Sequence, residues 1–162
     1  MFYRMLAVCA FAVLIPAAAL AQTRMITTAG PRVGLSLDPD QVVFGGQLAV
    51  GEIAPDLTFD PNLELGFGDN CQVVALNLDL HYHFAVAGTR WSPYAGGGLG
   101  LNFIEVDVEA PVRDRSSTEV GGNLILGAGI PTRAGNRFFG EVKFGLGDIP
   151  SLKLLVGWNF KL

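Results

Sequence analysis

The chain has 162 residues, enough for one domain, with 11 basic and 15 acidic side chains and a formal net charge of −4. That balance excludes a nucleic-acid binder, which needs a basic footprint. Charged residues are only 16% of the chain, against about 25% in soluble domains, so something other than water is expected to face much of its surface.

The first 21 residues stand apart. Arg4 is followed by an apolar run from Met5 to Ile15, then by Pro16 and a small-x-small site at Ala19 and Ala21. This is the pattern of a secretory signal, expected to be cleaved before Gln22. A signal anchor is the alternative, but Pro16 interrupts a run already short of the ~20 residues a spanning helix needs. Cleavage removes Cys9 and leaves Cys71 as the one cysteine, so no internal disulfide is expected. Residues 22–32 read as a polar leader, and residues 33–162 as the folded domain.

From Val33 onward the apolar residues recur with period two and no helical period is sustained. Val33, Leu35 and Leu37 form a short first strand, and Asp38-Pro39-Asp40 supplies turn chemistry. The second strand alternates through Val42, Phe44, Leu48 and Val50, and the third through Leu57, Phe59, Leu63, Leu65 and Phe67. Pro61 lies inside the third, where it cannot donate to a ladder and argues against a standard central strand. The fourth has the longest clean alternation, with Val74, Leu76, Leu78, Leu80, Tyr82 and Phe84 against Asn77, Asp79, His81 and His83.

Strand five runs from Pro93 to Phe103 and is followed by one long charged loop, Ile104 to Thr118, carrying Glu105, Asp107, Arg113, Asp114 and Arg115. Strands six, seven and eight cover Glu119 to Ile130, Phe138 to Leu146 and Leu152 to Leu162. The total is eight, an even number, as bacterial membrane barrels require.

Alternation alone does not say which face is wet. The polar face is built from glycines and scattered charges, a poor exterior for a soluble sheet but a workable lining for a narrow barrel. With both termini in the periplasm the long loop falls outside the cell. The same topology gathers Phe59, Tyr82, Phe84, Trp91, Phe138, Trp158 and Phe160 at one end and Phe44, Phe67 and Phe103 at the other, as two aromatic girdles. The expected fold is therefore an all-β, eight-stranded, antiparallel, up-and-down transmembrane barrel. A soluble periplasmic lipocalin-like barrel that binds a ligand is the alternative.

Pro93-Tyr-Ala-Gly-Gly-Gly-Leu-Gly-Leu-Asn-Phe103 resembles the fifth strand of the small eight-stranded outer-membrane β-barrels, the family of opacity proteins and of the membrane domain of outer-membrane protein A. Gly157-Trp-Asn-Phe-Lys-Leu162 is similar to the C-terminal signal by which such chains are recognised for insertion, read at Gly157, Phe160 and Leu162; the family usually has phenylalanine where Leu162 stands. The resemblance implies a Gram-negative outer-membrane location and, as partners, outer-membrane lipid, lipopolysaccharide and the assembly machinery. It specifies no activity.

Glu64, Asp79, His81, His83, Glu141, Lys143 and Lys153 all fall on the inward face and are expected to form an interior polar network whose pairing offsets the cost of burial. Two imidazoles at i and i+2 lack the further ligands a metal needs. No serine stands at a suggestive spacing from a histidine, so neither catalysis nor a cofactor is expected. The turn acids Asp38, Asp40, Asp69 and Asp148, together with the acids of the long loop, suit divalent cations that bridge lipopolysaccharide. A filled barrel with a structural or surface-interaction role, its surface ligand unknown, is the favoured reading. A small porin-like channel stays open beside it.

Overall fold

The computed structural model describes residues 26–106 and 115–162. The signal segment, the first part of the leader and the loop positions Asp107, Arg113 and Asp114 lie outside the described residues. Eight strands follow one another: β1 (Ile26–Leu37), β2 (Gln41–Ala54), β3 (Leu57–Gly68), β4 (Cys71–His83), β5 (Ser92–Val106), β6 (Arg115–Pro131), β7 (Arg137–Leu146) and β8 (Leu152–Lys161). Each pairs antiparallel with its sequence neighbours, and β8 returns to β1 to close the barrel. Closure leaves no backbone row unpaired where lipid could not satisfy it.

The ladder is strongly staggered. Leu35 faces Val42 directly, but the other way round its row runs through Leu154, Val142, Leu126, Ala95, Tyr82 and Leu57 to Ala54, at the opposite end of β2. A barrel of tilted strands requires such an offset. The tight turns at one end use Asp56, and at the other Asp38 and Asn70, all with φ near +60°. These residue types tolerate the left-handed region because their short polar side chains bond locally.

Three boundaries differ from the sequence expectation. β1 starts at Ile26, so most of the expected leader is strand, paired to β2 and β8. β5 and β6 extend into the expected long loop: Glu105 pairs with Ser116 and Val106 with Arg115, so Glu105 and Arg115 are strand residues rather than loop residues. The hairpin continues there because backbone pairing persists after the apolar alternation stops. Pro61 is accommodated by a break in one ladder only. Gln47 faces Asn62 and Val50 faces Phe59 in the same register, and the β2–β3 pairing lapses between them, at the residue with no N–H to donate.

The exterior is apolar. Leu78 (46% exposed), Leu99 (64%) and Leu124 (53%) occupy mid-strand positions facing outward. Aromatic residues cluster at each end: Tyr82 meets Phe84 edge-on at 5.2 Å, Phe138 lies 6.2 Å from Trp158, and Phe44 lies 6.4 Å from Phe67. From Leu57 to Phe67 along β3 is about 33 Å at ~3.3 Å per residue. A tilt of ~40° makes this ~25 Å in height, the apolar band of a membrane barrel.

The interior is polar, with twice as many polar as apolar side chains among the described buried residues. Large inward groups face glycines across the ladder. Tyr94 lies opposite Gly127 and Phe139 opposite Gly157, and a Cβ at either glycine would fall within the facing ring. Gly127→Val is expected to cost about 1–3 kcal/mol by overpacking. Gly140 faces outward into open space, so Gly140→Ala should stay within about 0.5 kcal/mol. Urea midpoints of the refolded protein measure both.

Candidate functional site

Mid-barrel, three cations meet three carboxylates. Lys143 Nζ donates to Asp79 Oδ2 at 2.8 Å and to Glu64 Oε1 at 3.3 Å, while Lys153 Nζ donates to Glu64 Oε2 at 2.7 Å. Arg32 donates through Nη2 to Glu141 Oε1, and its Nη1 stands 3.6 Å from Glu64. Tyr94 donates to Glu141 Oε2 at 3.0 Å. All of these residues are at least 95% buried. Charges so far from water persist only when paired and bonded, and these six are.

An amide ladder braces the same level. Asn123 donates to Asn77 at 3.0 Å, Asn77 to Asn62 at 2.9 Å, and Asn62 to Asp79 at 2.7 Å. The chain of bonds runs along the inner wall from β6 over Gly100 of β5 to β4 and β3. Above it, towards the β1–β2 and β7–β8 turns, the interior is mixed: Val43, Val73 and Ala75 are buried beside Ser36, Gln41 and Asn102, and Ile149 folds inward from the β7–β8 turn over Gly121 and Gly145.

Below the charges, at the end holding the β6–β7 turn, a relay leads outward. His81 Nδ1 lies 3.2 Å from Asp60 Oδ2, which also accepts from Thr58. Arg137 donates to His83 Nδ1 at 3.1 Å, leaving Nε2 to donate to Thr58 Oγ1 at 3.1 Å. A recess of about 10 Å³ between Gln47, Asp60, His81 and Arg137 is room for one water-sized occupant.

The structure thus brings Glu64, Asp79, His81, Glu141, Lys143 and Lys153 into one connected interior, while His83 is half-buried at its mouth. Sequence reasoning missed Arg32, assigned to the leader, although it stands two and four residues before Gly34 and Ser36 on the same inward face. It also gave no role to Tyr94, Arg137 or the asparagine ladder. Of the other candidates, Gly157 faces Arg32 and Phe139 across its two ladders, Phe160 is half exposed on the outer face, and Leu162 donates its backbone N–H to Thr27. The aspartates at 38 and 40 are exposed on the β1–β2 turn, and those at 69 and 148 on two other turns. Among the described residues no three acidic, histidine or cysteine groups converge to hold a metal; Asp107, Glu109 and Asp114 of the long loop lie outside the described residues.

Among solved structures, the chain is similar to the N-terminal β-barrel domain of Pseudomonas aeruginosa OprF, with a TM-score of 0.67 at 14% identity, covering 85% of this chain and 98% of that one. The fold is that of a small outer-membrane β-barrel. The barrel is also similar to neisserial surface protein A, with a TM-score of 0.58 at 16% identity over 84% of this chain and 94% of that one. A third likeness is to the Yersinia pestis outer-membrane protein Ail, with a TM-score of 0.50 at 11% identity over 84% and 99%. No family model matches the chain. No curated protein matches it. The apolar exterior agrees with the fold, since a surface of that composition is stable only in lipid.

Proposed function

We propose that this barrel is a sealed scaffold of the outer membrane that holds a surface-exposed rim, with a structural or surface-interaction role and neither a conduit nor a catalytic centre. The observation that supports this reading is the buried charged network of Arg32, Glu64, Asp79, Glu141, Lys143 and Lys153, whose pairs join β7 to β4 and β8 to β3 across the lumen. A filled interior suits a barrel of eight strands. Its chemistry also disfavours hydrolysis, because His81 and His83 bond to Asp60, Thr58 and Arg137 rather than to a serine hydroxyl.

In this reading the β5–β6 end faces out of the cell, and the partners in the membrane are outer-membrane lipid and lipopolysaccharide. The assembly machinery would meet β8 through Phe160 and Leu162, at 50% and 72% exposure among the more open apolar residues of the chain. Purified barrel inserted in a planar bilayer is expected to give a silent trace. Conductance steps would overturn the sealed reading in favour of a small channel. Recovery of the mature chain in the periplasmic wash, without heat-modifiable gel mobility, would overturn the membrane location itself.

A further inference from the structure

Among the described residues, the stagger of the barrel leaves a stretch of β6 with a strand on one side only. β6 pairs with β5 from Arg115 onward, but with β7 only from Gly122, which faces Leu146. Beyond that point β7 has turned towards β8, and the turn residue Gly147 lies close to Gly121 and Val120. Among the described residues, the row from Arg115 to Glu119 therefore has β5 on one side and no strand on the other.

This row lies above the lipid band. Outward positions change from Leu124 and Val120 to Thr118 and Ser116, and Ser116, Ser117 and Thr118 are exposed. It has no proline, no lysine and no break in its register with β5, and its charged residues are Arg115 and Glu119 at its two ends. The wall behind it is continuous at this height: Ser116 faces Glu105, Glu105 faces Gln72, Gln72 faces Phe67 and Phe67 faces Val42. A sheet that ends, among the described residues, in a row of backbone donors and acceptors with no further strand beside it is the template that strand addition uses.

Charge selects the occupant. The described residues at this end include Asp38, Asp40, Asp69, Glu105, Glu119 and Asp148, against Arg115 as the one base outside the buried plug. Glu119 lies in the β6 row, Glu105 faces it through Ser116, and Asp148 lies in the turn at its foot. A second copy would bring the same acids against these and be repelled. We propose that the β6 edge from Arg115 to Glu119 docks a basic, extended peptide segment of a soluble partner as an added strand. The inference rests on the surface-interaction reading above and names the partner class.

The test uses refolded barrel in zwitterionic micelles and a labelled short peptide alternating lysine with threonine and valine. Binding is expected by fluorescence anisotropy, with slowed amide hydrogen exchange at residues 115–119. N-methylation of alternate peptide amides should weaken binding about tenfold or more, because it removes strand bonds and leaves charge intact. Glu119→Lys, with Val120→Lys as a second variant, should weaken it about tenfold, and heat-modifiable mobility reports that each variant still closes. Equal binding of the N-methylated peptide reduces the effect to charge attraction and overturns the proposal. So do unchanged exchange at the edge, equal binding of a glutamate-for-lysine peptide, or protection of the edge by self-association alone. Because the measurement is made in micelles, these outcomes are independent of the conductance result that tests the sealed scaffold.

Discussion

Replacing Arg32 with methionine is expected to destabilise the barrel by about 3–5 kcal/mol, the usual cost of breaking a buried ion pair from one side. The guanidinium is 2% exposed and serves two carboxylates, Glu141 by a hydrogen bond and Glu64 at 3.6 Å. Without it Glu141 keeps Tyr94 as a close donor, with His81 Nε2 at 3.8 Å, and Glu64 must rely on Lys143 and Lys153. The double variant Arg32→Met with Glu141→Gln removes the stranded charge with its partner and should recover much of the loss. Urea unfolding of protein refolded in lipid vesicles, read as a double-mutant cycle, measures the coupling. A single-variant loss below about 1 kcal/mol would mean the network contributes no more than surface pairs do.

The second large effect concerns the opposite face. Leu78 lies at the middle of β4, between Pro61 and Leu99, and is turned outward. Leu78→Arg is expected to cost about 2–4 kcal/mol, the penalty for a cation near the bilayer midplane. Ser117→Arg, on exposed strand above the apolar band, should be near neutral by the same titration. Comparable losses at both positions would contradict the placement of lipid against the outer face.

How much of this was legible in the sequence depended on whether a side chain's meaning was local. Leu76, Leu78 and Leu80 announce a face by alternation alone, and all three are exposed to the outside of the closed barrel. Strand number, inverted polarity and both girdles followed from such local signals. Arg32 was not legible, because the outward neighbours before Val33 are Ala29 and Pro31, which give the alternation no apolar beat. β6 was clipped at Glu119 for a related reason: above the lipid both of its faces are polar. The bonds from Asn123 to Asn77 and from Asn77 to Asn62 require the register of strands that are distant in the chain, which no periodicity encodes.

The ion pairs of the plug bear also on the timing of assembly. Arg32 and Glu141 are 109 positions apart in the chain, Lys153 and Glu64 89, Lys143 and Glu64 79, and Lys143 and Asp79 64. A sheet of β1 to β4 therefore carries Glu64 and Asp79 with only Arg32 near Glu64, since the lysines that meet both carboxylates lie on β7 and β8. Those carboxylates gain their lysine partners only when the last two strands join the sheet. Contacts of such long range make folding slow, and the pairing of the buried charges is completed by the strands that close the barrel.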